Sequence, residues 1–139
     1  MQIRELDLKE LYTVYDVLKQ LRTQLSYKEF EDLIYDMKYM DYKMIGIMDG
    51  EVLITYAGVA IQTNLHHKRH LYVFDLVTDK KHRFKGYGRM MLEYLVDFAK
   101  IGMCENIVLS SGFKRAQAHR FYESYGFEKT SFVFLKALK

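Results

Sequence analysis

Two glycines set among cations form the part of this chain best suited to hold a charged ligand. The stretch is Val73 to Met91, VFDLVTDKKHRFKGYGRMM. Arg83, Gly86 and Gly88 follow an apolar run, and Lys80, Lys81, Lys85 and Arg89 surround them with mobile charge. Glycine lets backbone N–H groups crowd toward an anion. A helix that starts at once adds donors without intrahelical partners and the positive end of its dipole. The assembly suits a pyrophosphate. A nucleotide-hydrolysing P-loop needs Lys and Ser or Thr after its last glycine, and here Arg89 and Met90 follow Gly88. A dinucleotide fingerprint needs a third small residue three positions on, where Met91 stands. A plain surface turn with solvated lysines is the competing reading, and the flanking elements argue against it.

Those elements are legible in the pattern. Met1–Arg4 reads as a short strand. A first helix starts near Asp7, where Asp7 and Glu10 form a variant capping box, and carries Leu8, Leu11, Tyr15, Leu18 and Leu21 at helical spacing. Ser26 and Glu29 form a capping box for a second helix with Phe30, Leu33, Ile34, Met37 and Met40 on one face. Met44–Met48 and Glu51–Gln62 read as strands around the Asp49-Gly50 turn. Leu71–Thr78 is the strand that feeds the glycine loop. Tyr87–Lys100 is a helix with Met91, Leu92, Leu95, Val96 and Ala99 inward. Asn106–Ser110 is a strand, Lys114–Ser124 a helix that Gly126 can cap in a left-handed conformation, and Phe127–Leu138 a final strand. The order is β-α-α-β-β-β-α-β-α-β.

Composition narrows the classes. The 139 residues suggest one domain spanning 1–139. Half the residues are apolar, enough for a real core, and the net charge of +3 is too weak to argue for nucleic acid. The single cysteine, Cys104, precludes an intramolecular disulfide and fits a reducing, cytoplasmic setting; the residue reads as a small apolar filler. No apolar run is long enough to span a membrane, and Met1-Gln2-Ile3-Arg4 does not read as a signal peptide. His66, His67 and His70 lie close together, but no cysteine or carboxylate stands at ligand spacing in that turn. They read as a solvated loop, and no metal is expected.

A second pattern joins the first: Ala118-His119-Arg120-Phe121-Tyr122-Glu123-Ser124-Tyr125-Gly126-Phe127. The strand-borne Arg-x-x-Gly-x-Gly loop resembles the acyl-CoA loop of the GNAT acetyltransferases. The downstream run resembles their A-x-x-x-Y-E-x-x-G-F pattern, in the same order and at similar spacing. The two motifs with their strands cover Leu71 to Leu138, about half the chain. The resemblance implies the GNAT fold, an α/β (α+β) domain. Its central sheet is mixed and mostly antiparallel, with one splayed parallel strand pair and flanking helices.

It also implies transfer of an acetyl group from acetyl-CoA to a primary amine of a small molecule or peptide, by direct attack in a ternary complex. The pantetheine arm would lie where the strands splay, against the backbone of Leu76, Val77 and Thr78. Arg83, Phe84, Lys85, Gly86, Tyr87, Gly88 and Arg89 would cradle the pyrophosphate, and Ser111, Arg115, Ala118 and Tyr122 would complete the cofactor contacts. Phe84 stands where the family often has glycine, which restricts the loop. Tyr122 matches the usual acid that protonates the leaving thiolate; the alternative is a phenol that only hydrogen-bonds the sulfur. Asp75, the only carboxylate in its strand, reads either as the base or amine anchor, or as a structural carboxylate. Some family members carry glutamate where Ser110 stands, and many carry asparagine at Arg115. The Ser-Gly-x-x-Arg-x-x-Ala-His-Arg-Phe-Tyr run resembles a small-substrate subgroup that includes aminoalkylphosphonate acetyltransferases, in which Arg115 would face an anionic acceptor. His119 shares a helix face with Tyr122 and reads more readily as a packing or capping residue than as a proton relay. A homodimer is compatible with the resemblance. The runner-up function is an acyl-CoA-binding sensor module without turnover.

Overall fold

An alternating apolar run becomes a strand only when it finds an edge to pair with, and residues 1–109 supply five that do. The computed structural model describes residues 1–139. It divides them into a body, residues 1–109, and a smaller C-terminal unit, residues 110–139. In the body, β1 (Gln2–Leu6), β2 (Lys43–Asp49), β3 (Val52–Asn64), β4 (Lys68–Thr78) and β5 (Asn106–Leu109) form one sheet in chain order. The first three pairings are antiparallel, and β4 pairs with β5 in parallel. The parallel pair needs a crossover, which is α3 (Tyr87–Ile101).

Helices α1 (Leu11–Leu18) and α2 (Tyr27–Met37) cover one face. Their Val14, Leu18, Phe30 and Ile34 share a core with Met44, Met48, Tyr56 and Val77 of the sheet. Alternation sends Ile45, Ile47, Val59 and Val73 to the other face, where α3 buries Met91, Leu92, Leu95 and Ala99. The capping box of Ser26 and Glu29 forms as the sequence predicts, with Glu29 N–H donating to Ser26 Oγ at 3.2 Å and Ser26 N–H to Glu29 Oε1 at 3.0 Å. No helix is long and apolar enough to cross a membrane.

The C-terminal unit holds α4 (Ala116–Ser124). The strand expected over Phe127–Leu138 is not formed: residues 127–139 have no regular secondary structure. Phe132, Val133, Phe134, Leu135 and Leu138 are exposed. An apolar, β-prone run is only half of a ladder, and this one has found neither a pairing edge nor a face to bury.

Glu10 ties the start of α1 to β1. Its carboxylate accepts two bonds from Arg4, at 3.0 and 2.7 Å, and one from the Asp7 amide at 3.1 Å. Arg4's hydrogen bonds hold the Glu10 carboxyl below its ordinary value against a smaller opposing effect of burial. A depressed carboxyl contributes stability that is complete above its unfolded value, about 4.3, and lost as pH falls through the lower folded value. Glu10→Gln should therefore destabilise the fold at pH 7 by up to about 1 kcal/mol. Urea denaturation should show the two proteins converging below about pH 4.

Candidate active site

The parallel pairing stops early. β4 and β5 run in register from His70 opposite Asn106 to Val73 opposite Leu109, where β5 ends. β4 continues for five residues, Phe74 to Thr78, with β3 on one edge only. The departure coincides with a bulge: Asp75 faces Gly58 and Val73 faces Val59, so Phe74 is the extra residue. A bulge bends its strand and re-aims the side chains that follow. Beyond it, alternate backbone groups of β4 lack a strand partner, and buried or half-buried backbone polar groups need one. Arginines take two of them. Arg22 Nη2 donates to the Phe74 carbonyl at 2.8 Å and Arg83 Nε to the Thr78 carbonyl at 3.0 Å. The predicted pantetheine contacts Leu76 and Val77, with Thr78, lie along this open edge.

The glycine loop follows. Gln20 of the turn after α1 anchors it twice, donating to Asp79 Oδ1 at 3.1 Å and accepting from the Lys80 amide at 2.9 Å. Phe84 has φ +65° and Gly86 φ +86°. Gly86 suits that region; Phe84 occupies it at a steric cost of about 1–2 kcal/mol, with its ring exposed. The expected restriction of the loop by Phe84 is thus a left-handed residue where glycine would sit freely. Gly86 is also the N-cap of α3 and offers no side chain to the helix's first amides. The first turn of α3 therefore opens without a side-chain cap. Lys80, Lys81, Arg83, Lys85 and Arg89 are exposed around them, although Arg89 also faces Glu93 at 3.7 Å.

Asp75 is held by a network that joins four segments of the chain. Tyr42 donates to Asp75 Oδ2 at 2.7 Å, and Arg22 Nε donates to Oδ1 at 2.9 Å. Tyr42 and Tyr56 hydroxyls lie 2.7 Å apart. A phenol has one proton to give. Since Tyr42 gives its own to Asp75, Tyr56 must donate to Tyr42. Burial, reinforced by Tyr56 and Asp75, pushes the Tyr42 phenol well above its ordinary value, and burial raises Tyr56 as well. Both remain protonated donors at physiological pH. Gly58, opposite Asp75, makes the network possible: a Cβ there would collide with the Tyr42 hydroxyl and ring. None of Tyr42, Tyr56, Arg22 or Gly58 is evident as a site residue from motifs. Gly58, a glycine inside an apolar strand, carries the one signal of close approach.

In the C-terminal unit, the Tyr-Glu-x-x-Gly-Phe run has a structural logic of its own. Gly126 has φ +101°. Its N–H bonds the Glu123 carbonyl and the Phe127 N–H bonds the Tyr122 carbonyl, each at 3.0 Å. This is a Schellman cap. Its customary hydrophobic contact is Tyr122 against Phe127, edge to face at 5.7 Å. The buried Tyr122 ring is therefore positioned by the helix end itself. Arg115 is the N-cap residue of α4, and Ala118 lies in the helix's first turn. The His119 ring lies 2.8 Å from the Gly112 carbonyl and so ties the loop before α4 to the helix. Ser111 Oγ is buried without a hydrogen-bond partner, an orphan that a ligand's polar group would satisfy.

Comparison with known proteins gives consistent results. The acetyltransferase (GNAT) family model matches residues 6–127. A Bacillus subtilis protein named as an uncharacterized N-acetyltransferase, YhdJ, is 32% identical over 124 residues, 88% of this chain and 87% of its own. An aminoalkylphosphonate N-acetyltransferase of Salmonella typhimurium is 27% identical over 142 residues, 99% of this chain and 91% of its own. The fold matches that of the aminoglycoside N-acetyltransferase AAC(6')-Iy, solved in complex with CoA. That match has a TM-score of 0.85 at 14% identity, covering 98% of this chain and 93% of the other.

Replacing Gly58 should test the tyrosine network. Gly58→Ala forces Tyr42 off Asp75 and should destabilise the fold by about 1–3 kcal/mol. In a Gly58→Ala/Tyr42→Ala double variant the clash is gone, so the pair should cost no more than Tyr42→Ala alone. Additive losses in urea denaturation would mean that Gly58 is required for another reason.

Proposed function

Because the chain belongs to the acetyltransferase (GNAT) family and is an N-acetyltransferase, we propose that it moves an acetyl group from acetyl-CoA to a primary amine of a small molecule or peptide. Attack is direct, within a ternary complex. The observation that carries this reading is the early end of the β4–β5 pairing at Val73, followed within one loop by the uncapped start of α3. An extended amide-bearing chain is what an open strand edge accepts. A pyrophosphate is what a glycine-turned helix start accepts. Leu76, Val77 and Thr78 take the pantetheine amides, and Arg83 to Arg89 take the phosphates. Ser111, Arg115 and Ala118 complete the contacts in this reading, with Ser111 gaining the partner its Oγ lacks. Residues 1–139 then act as one acetyltransferase domain, a reading supported by a family match that runs from residue 6 to 127.

The chemistry assigns each group a task. An alkylamine has a pKa of about 10.4 and reaches the enzyme as ammonium. Asp75 receives it, anchors it by charge and takes its proton directly or through water. The free amine attacks the thioester carbonyl carbon, and a backbone N–H on the open β4 edge stabilises the oxyanion. The C–S bond breaks with its electron pair on sulfur, Tyr122 gives that sulfur a proton, and the second proton shed by the nitrogen as the amide forms returns through water to the Tyr122 phenolate. The relatives support a small acceptor, since their names specify an aminoalkylphosphonate and an aminoglycoside.

Two outcomes check the reading. Acetyl-CoA should raise the melting temperature by mass action, and Gly86→Val should abolish that shift, because valine does not tolerate the left-handed φ found there. A full shift in a folded Gly86→Val protein would move the phosphate site elsewhere. Tyr122→Phe keeps the ring that packs on Phe127. It should lower kcat about 10- to 100-fold, toward the weak end for a general acid because thiolate leaves readily, with acetyl-CoA affinity nearly unchanged. Wild-type turnover in an assay limited by chemistry would remove Tyr122 from the proton path.

A further inference from the structure

We infer that Arg22 occupies the place of the acceptor's ammonium on Asp75, and that the enzyme takes amines carrying an apolar alkyl or aryl group, which displace Arg22 as they bind. The inference rests on the acetyltransfer reading above and adds the class of amine.

The cavity next to Asp75 has a volume of about 590 Å³, within the usual range for small-molecule sites. Its walls are apolar, with Leu18, Leu21, Phe30, Ile34 and Met37 from α1, α2 and the turn between them. Thr23 and Gln24 add polar lining, and Arg22, Tyr42 and Asp75 meet in one hydrogen-bonded cluster. A ligand that fits must be largely apolar, with a cationic tip where it meets Asp75.

That tip is already satisfied from within. One Arg22 guanidinium donates to two acceptors, Asp75 Oδ1 at 2.9 Å and the Phe74 carbonyl at 2.8 Å. A primary ammonium has three N–H donors and can meet both acceptors in its place. The Phe74 carbonyl belongs to the bulge where β4 parts from β5. An amine bound there sits beside the open edge. The other carboxylate oxygen stays on Tyr42, so the anchor keeps its orientation while its cation changes.

The exchange is easy for physical reasons. The Arg22 side chain is 49% exposed and Asp75 only 12%. An arginine that far into water contributes little through its ion pair, and it has solvent to swing into. Charge also selects the substrate. Arg22 and Asp75 are the only charged residues lining the cavity. When Arg22 leaves, no cation remains to hold a phosphonate or carboxylate on the acceptor. An acidic amine would bring an unpaired charge into an apolar site.

The experiment compares wild type with Arg22→Ala on three amines of similar length: an alkyl or phenylalkyl monoamine, an aminoalkylphosphonate and a polyamine. Acetyl-CoA-induced thermal shift is recorded for both proteins. The expected result is a kcat/KM highest for the apolar monoamine. In Arg22→Ala its KM should fall about three- to tenfold, since the internal competitor is gone. Asp75→Asn should raise that KM more than tenfold while leaving the thermal shift in place. A KM that rises in Arg22→Ala, or a wild-type preference for the aminoalkylphosphonate, overturns the inference and makes Arg22 a binder of anionic acceptors. The thermal shift separates the two levels. If it persists with the reversed amine pattern, only this inference fails. If wild type shows no shift, the underlying acetyl-CoA reading fails with it.

Discussion

A strand whose partner ends before it does leaves backbone groups that must be satisfied elsewhere, and much of this structure answers that constraint. β5 stops at Leu109 while β4 runs on from Phe74 to Thr78. The sheet absorbs the change through the bulge at Phe74. Two arginines from separate segments take the carbonyls at either end of the stretch. What remains is a short, rigid, half-satisfied edge. It is held by four residue pairings to β3, from Asp75 to Thr78, and backed by α1 and α2. A scaffold of that kind costs a ligand little ordering, because the protein side is already in place.

The orientation of Asp75 depends on the same bulge. By turning Asp75 toward α1 and α2, it sets a carboxylate beside an apolar cavity, where Tyr42, itself bonded by Tyr56, holds one of its oxygens and Arg22 the other. Satisfied polar networks of this sort are rigid, and they lose much when one member is removed. The glycine at position 58 is the space in which the network closes. The position of the Asp75 carboxylate and the opening of the β4 edge both go with one extra residue in β4.

Sequence reading reached the parts of this arrangement that are local. Gly86 and the start of α3 lie within a few residues of each other, so spacing alone reveals a left-handed turn feeding a helix. The Tyr122–Gly126–Phe127 pattern is legible for the same reason, since a Schellman cap is closed within its own six residues, 122–127. The Asp75 network is not local. Its bonds join residues 33 and 53 positions apart in the chain, and neither Tyr42 nor Arg22 stands in a motif. The end strand failed for a related reason. The alternation in Phe127–Leu138 describes a segment able to pair, and no pattern in one segment specifies which edge receives it. Phe84 lay between these cases. Its departure from glycine was visible, while the φ of +65° it adopts depends on the loop's two anchored ends.

The central claim is that the open edge of β4 and the start of α3 bind one ligand together. Residue-resolved amide hydrogen exchange, measured with and without CoA, tests it most directly. The account predicts slower exchange at two places at once: the amides of the open edge within Phe74–Thr78, and those of Tyr87, Gly88 and Arg89. Protection that appears elsewhere while both sets exchange as in the free protein would contradict it.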